Sequence, residues 1–154
     1  MARFNYSLQS ILDIKLKMET QAKQEFSEAA GALNDENDRL AGCIRQKELL
    51  ETQSRELLKG KLDFRKISDN KLSVSLQEER IVRQKDRVKS AEKNMEQARE
   101  KLAGVMIERK TYENLREKAF ENFLQEENRA ESKMVDELTS YTYGQNKKEE
   151  QILK

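Results

Sequence analysis

The sequence predicts an all-α fold, a long antiparallel two-helix coiled-coil hairpin, and three observations carry that prediction. Charged residues make up 38% of the chain, while apolar residues reach 36% and aromatic ones 6%. Ordinary globular domains are roughly 45–50% apolar, so this composition fills a thin seam but not a thick core. There is no Pro, and the prevailing types are the helix formers Ala, Leu, Glu, Lys, Gln, Arg and Met. Apolar or small residues also recur every three or four positions, as in Tyr112, Leu115, Ala119, Phe123, Ala130, Met134 and Leu138. That spacing follows one side of a helix and separates this chain from a disordered polyelectrolyte.

Taken in order, a first helix is expected over about 7–66. Ser7 is positioned to cap it, and Phe4 and Tyr6 precede it as anchors. Its seam reads Leu8, Ile11, Lys15, Met18, Ala22, Phe26, Ala29, Leu33, Leu40, Ile44, Leu50 and Leu57, the a/d pattern of a left-handed coiled coil. The pattern degrades between Gly60 and Val74, and the turn is expected at about 67–71. There Ser68, Asp69 and Asn70 are strong turn formers through their short hydrogen-bonding side chains.

The second helix is expected over about 72–143, with Leu76, Ile81, Lys85, Val88, Met95, Ala98, Leu102, Val105, Arg109 and Tyr112 along its seam. Gly144 is a natural stop, leaving 144–154 as a frayed tail of a single coiled-coil domain spanning 1–154. With that turn, facing residue numbers sum to about 140, which places Lys15 across from Glu126 and Lys47 across from Glu92. Near the turn Leu57, Leu58, Leu62, Phe64, Ile67, Leu72, Val74 and Leu76 exceed what a two-helix seam can hold. Local packing and an exposed docking surface are equally open readings of that excess.

Charge is distributed unevenly. Basic residues dominate between Lys59 and Lys93, and acidic residues dominate between Glu113 and Glu137. A solvated surface is the plain reading of each run, and opposite bias at opposite ends points to different partners. The chain-wide net charge of +1 gives no bulk pull toward DNA, RNA or anionic lipid. Cys43 is the only cysteine, consistent with a reducing cytoplasm. No apolar run approaches the roughly 20 residues of a membrane span, so no direct membrane insertion is expected, and the first residues lack the pattern of a signal peptide.

No catalytic constellation is present. Without His there is no Ser-His or Cys-His pair and no imidazole metal site. The glycines are scattered singly, so no phosphate cradle forms. Carboxylates such as Glu126 and Glu127 lie on a helix surface that offers no cleft to shift a pKa. The expectation is no enzyme, no cofactor and no metal. Beyond Phe64 the basic stretch lacks interleaved aromatics, so nucleic acid is not an expected partner.

Both ends of the chain resemble the FliJ family, coiled-coil proteins of the bacterial flagellar type III export apparatus. The N-terminal motif is Phe4-x-Tyr6-x-Leu8-Gln9-x-Ile11-Leu12-x-x-Lys15, followed by Glu19 and Ala22-Lys23. The C-terminal motif is Glu113-x-Leu115-Arg116-Glu117-Lys118, then Glu126-Glu127-x-Arg129-x-Glu131-x-Lys133-x-x-Asp136-Glu137. The middle agrees only in length and in being coiled coil.

The resemblance implies a hairpin similar to the γ-subunit coiled coil of rotary ATPases. Its terminal end would sit in the hexameric export ATPase, promote ring assembly and couple the ring to the export gate membrane protein, and the protein would escort export chaperones. The implied location is cytoplasmic, peripherally associated with the membrane export apparatus. Matching residues for ATPase-ring binding are Phe4, Tyr6, Leu8, Ile11, Arg116, Lys118, Arg129, Lys133, Asp136 and Glu137. The alternatives are the equivalent stalk of a virulence type III secretion system, a generic coiled-coil scaffold built as a parallel dimer, and a holdase chaperone with splayed arms.

Overall fold

Residues 2–153 are described by a computed structural model. It contains two helices, α1 (Gln9–Leu57, 49 residues) and α2 (Phe64–Ile152, 89 residues), and no strand among the described residues. The helices pack antiparallel as a hairpin. By packing, the chain divides into two units: Lys17–Met106, and the segments up to Leu16 and from Ile107 onward.

In the Lys17–Met106 unit the reversal lies at 58–63, earlier than the 67–71 expected. The helix ends supply the physical reason. Beyond Leu57 the chain tightens, with Leu58 N–H donating to Arg55 C=O (3.3 Å) and Lys59 N–H to Glu56 C=O (3.1 Å). Gly60 then takes a φ of +73°, a left-handed conformation that side chains with a Cβ resist.

Asp63 caps α2. Its carboxylate accepts from the backbone N–H of Arg65 (3.1 Å) and of Lys66 (3.4 Å), and its C=O accepts the first helical bond from Ile67 (3.1 Å). Residues 67–71, expected as the turn, are therefore helical. Asn70 serves the seam instead: its amide donates to Leu50 C=O (3.1 Å), and its side-chain oxygen accepts from Ser54.

Register follows from the turn. Facing numbers sum to about 120 (Leu50 with Asn70, Cys43 with Gln77, Glu36 with Gln84), not 140. Lys47 accordingly pairs with Glu78 at 3.6 Å and with Glu51 at 3.7 Å, not with Glu92. The seam is mixed. Ala22, Ile81, Val88, Ala91 and Val105 are buried alongside Glu19, Gln77 and Gln84. Gln77 donates to Cys43 C=O (2.9 Å), and Gln84 donates to Glu36 C=O (3.0 Å) and to the Glu36 carboxylate. Each buried amide is thus matched to a facing backbone carbonyl, which removes the cost of an unsatisfied polar group. Outside the seam, Lys101 reaches Glu25 at 2.8 Å, and this bond holds the Glu25 carboxyl below its ordinary range.

The core is thin, with no large side chain completely enclosed among the described residues. Around the loop the surplus of apolar residues divides. Leu57, Ile67 and Val74 are half-buried, whereas Leu58, Leu62, Phe64, Leu72 and Leu76 are exposed.

The other unit is built from the first residues of the chain and the last third of α2. α2 does not stop at Tyr143; the tail expected to fray continues helical through Gly144 to Ile152. A lone glycine costs only about 1 kcal/mol in a helix interior.

Candidate partner-binding end

In the terminal unit a stretch without regular structure, 2–6, leads into α1 through a turn closed by Gln9 N–H donating to Tyr6 C=O (3.0 Å). Among the described residues the Ser7 hydroxyl forms no hydrogen bond to the helix start, so the expected Ser7 cap is replaced by this turn. Tyr6 is 8% exposed, and its hydroxyl donates to Tyr112 C=O on α2 at 3.2 Å. Leu12 is buried, with Leu8 and Ile11 half-buried beside it. Lys15 donates to Glu108 at 2.7 Å, not to Glu126, and that hydrogen bond raises the lysine pKa above its ordinary value. Arg109 pairs along the helix with Glu113, also at 2.7 Å.

Beyond Tyr6 an aromatic cluster joins the chain start to α2. The Phe4 ring lies edge-on to Phe120 (centroids 5.1 Å apart, 74° between planes) and tilted against Phe123 (5.4 Å). Phe120 and Phe123 stack at 6.3 Å. The Arg116 guanidinium sits 6.0 Å from the Phe4 centroid, within reach of a cation–π attraction. A small cleft of about 190 Å³ opens between Phe4, Arg116, Glu117 and Phe120. Edge-to-face and offset geometry is the arrangement ring quadrupoles favour, so three rings anchor a stretch that has no helix of its own.

From Asn128 to Leu153 every residue of α2 and its end is exposed. Met134, Val135, Leu138, Tyr141, Tyr143 and Ile152 all lie open on this stretch. A shallow groove of about 420 Å³ runs along Val135, Leu138, Thr139, Thr142, Tyr143 and Asn146. Arg129, Lys133, Asp136 and Glu137 form no ion pair with another described residue.

The ten residues singled out from the sequence therefore fall into three settings. Phe4 and Arg116 belong to the aromatic cluster. Tyr6, Leu8 and Ile11 pack inside the unit. Lys118, Arg129, Lys133, Asp136 and Glu137 stand on exposed helix surface. Sequence reasoning missed Phe120 as a site residue; it stands one position off the Ala119–Phe123 stripe and becomes a partner only because Phe4 reaches it from the stretch before α1. Among the described residues no cluster of Cys, Asp and Glu is grouped to hold a metal ion, and no helix is long and apolar enough to cross a membrane.

Two long helices packed antiparallel define an all-α helical hairpin, and the last stretch of α2 carries exposed charge and apolar surface. The sequence matches the family described as "Flagellar FliJ protein" over residues 4–148. The chain belongs to the FliJ family, and so to the proteins of the type III export apparatus. It is 26% identical to the flagellar FliJ protein of Bacillus subtilis over 136 residues, covering 88% of this chain and 92% of that protein. Its fold is similar to that of a putative YscO homolog from Chlamydia trachomatis, with a TM-score of 0.75 at 23% identity, over 95% of this chain and 99% of the other.

Proposed function

We propose that the protein is a non-enzymatic stalk of the flagellar type III export apparatus. Its terminal unit inserts in the hexameric export ATPase and promotes ring assembly, and the protein couples the ring to the export gate and escorts export chaperones. One observation carries the reading: α2 from Arg129 to Ile152 is a formed helix that stays exposed, uncovered by any other described residue. An isolated helix owes its persistence to contacts on its apolar side, so this arm is completed by a partner. Two cations followed by two acids, Arg129, Lys133, Asp136 and Glu137, form no ion pair among the described residues and suit a ring lumen that offers repeated polar groups. In this arrangement Phe4 and Arg116 present the cluster surface, and Tyr6, Leu8 and Ile11 hold it in place.

The test is to mix the protein with the candidate ATPase and measure ring formation and ATP turnover. Wild type is expected to stimulate both, and Arg129→Glu combined with Asp136→Lys to reduce stimulation about tenfold or more, the cost of about 1.4 kcal/mol of lost interaction. Unchanged turnover with wild type would remove the proposal.

A further inference from the structure

The loop end carries a second surface that the ATPase reading leaves unused. Within Lys59–Lys71 lie the cations Lys59, Lys61, Arg65, Lys66 and Lys71 against the acids Asp63 and Asp69. Asp63 is occupied as the cap of α2, where helix N–H groups offset its charge. Lys59 is shared with Glu56 at 3.3 Å. Lys61, Arg65, Lys66 and Lys71 form no ion pair with another described residue. The near-neutral balance of the whole chain thus conceals a local positive field.

Among these cations stand exposed apolar side chains, Leu58, Leu62 and, at 77% exposure, Phe64. They occupy the reversal itself. A cleft of about 220 Å³ beside them adds Leu57, Ile67 and Val74 to the apolar footprint, with Ser54, Asn70 and Lys71 also in its lining. An acidic protein surface would answer the charges but would leave Leu62 and Phe64 without a counterpart. A bilayer interface answers both, because anionic headgroups attract the cations while the boundary below them accepts an aromatic ring and a leucine.

We propose that the 58–66 loop is a peripheral docking tip for anionic phospholipid, with Leu62 and Phe64 entering at headgroup level and Lys61, Arg65 and Lys66 contacting lipid phosphates. The contact is adsorption, not a span, and it is independent of the ATPase reading.

The chain lacks Trp, so Phe64→Trp gives a single clean reporter. The full-length protein is mixed with phosphatidylcholine vesicles with and without phosphatidylglycerol, and binding is measured by sedimentation together with the indole emission of the Phe64→Trp variant. Binding is expected only with phosphatidylglycerol, with a blue-shifted emission, and it is expected to vanish near 1 M salt, where the screening length falls to about 3 Å. Lys61→Glu, Arg65→Glu and Lys66→Glu together should weaken it about a hundredfold or more. Phe64→Ser should weaken it about tenfold, with far-UV circular dichroism unchanged because these side chains are exposed. Ile152→Ser with Leu153→Ser should leave it unaltered. Three outcomes would overturn the proposal: no binding to anionic vesicles, binding indifferent to the loop variants, or an unshifted emission with poly-glutamate displacing the vesicles, which would assign the loop to an acidic protein.

Discussion

The two packing units solve the same problem, joining antiparallel segments along a thin seam, with different chemistry. In Lys17–Met106 the seam is punctuated by amides: Asn70, Gln77 and Gln84 each donate to a carbonyl of the facing arm. In the terminal unit the join is aromatic, with Phe4 against Phe120 and Phe123 and a tyrosine hydroxyl reaching Tyr112 C=O. Amides contribute little net stability but penalise every wrong alignment, because a shifted seam leaves them buried without partners. Rings contribute buried area but tolerate small displacements. One unit is specified in register, the other is clamped.

That contrast can be broken experimentally. The largest loss is expected where a seam side chain is well enclosed: Leu12→Ala should cost about 2–4 kcal/mol, measured by urea denaturation and localised by hydrogen exchange to the terminal unit. Ala22→Leu, at a position 1% exposed, should cost about 1–3 kcal/mol by overpacking the other unit. Next come the amides. Gln77→Leu with Gln84→Leu should change stability by about 1 kcal/mol or less in either direction, yet broaden the distance distribution between spin labels on facing exposed positions. A narrow distribution in that variant would show that the amides do not set register.

The smallest effects belong to the exposed ion pairs and differ in sign. Lys15 has a pKa raised by Glu108, so its contribution is present below the ordinary lysine pKa and is lost as pH rises through the raised value. Glu25 has a pKa lowered by Lys101, so its contribution is present above the ordinary glutamate pKa and is lost as pH falls through the lowered value. Thermal melts should show Glu108→Gln flattening only the alkaline limb and Glu25→Gln only the acid limb, both weakly and less at high salt.

The hairpin was legible because helix-forming composition and a three-four spacing leave few alternatives. The register was not, and the reason is visible residue by residue. Following apolar residues alone leads to Met18, Ile44 and Leu76, which are exposed, whereas the seam runs through Glu19, Cys43 and Gln77 one position away. Polar seam residues look like surface until their partner carbonyls are known. The turn is hard to place from sequence for a related reason. Asn70 reads as a turn former because its amide bonds backbone, and here it bonds the backbone of the other arm. The cue that marked the true reversal was Gly60 followed by a capping Asp63. Of the candidate site, the Phe4 and Tyr6 anchors were readable; the cluster with Phe120 was not, since it depends on the path of 2–6.

Placing the reversal at Gly60 also sets an order of assembly. Cross-arm bonds close progressively longer loops: Ser54 and Asn70 are 16 residues apart, Cys43 and Gln77 are 34, Glu36 and Gln84 are 48, Lys15 and Glu108 are 93, and Tyr6 and Tyr112 are 106. Each longer closure costs more chain entropy unless the shorter ones are already made. The hairpin therefore zips from the glycine outward, and on the ribosome the first few residues wait, unmated, until Tyr112 has emerged.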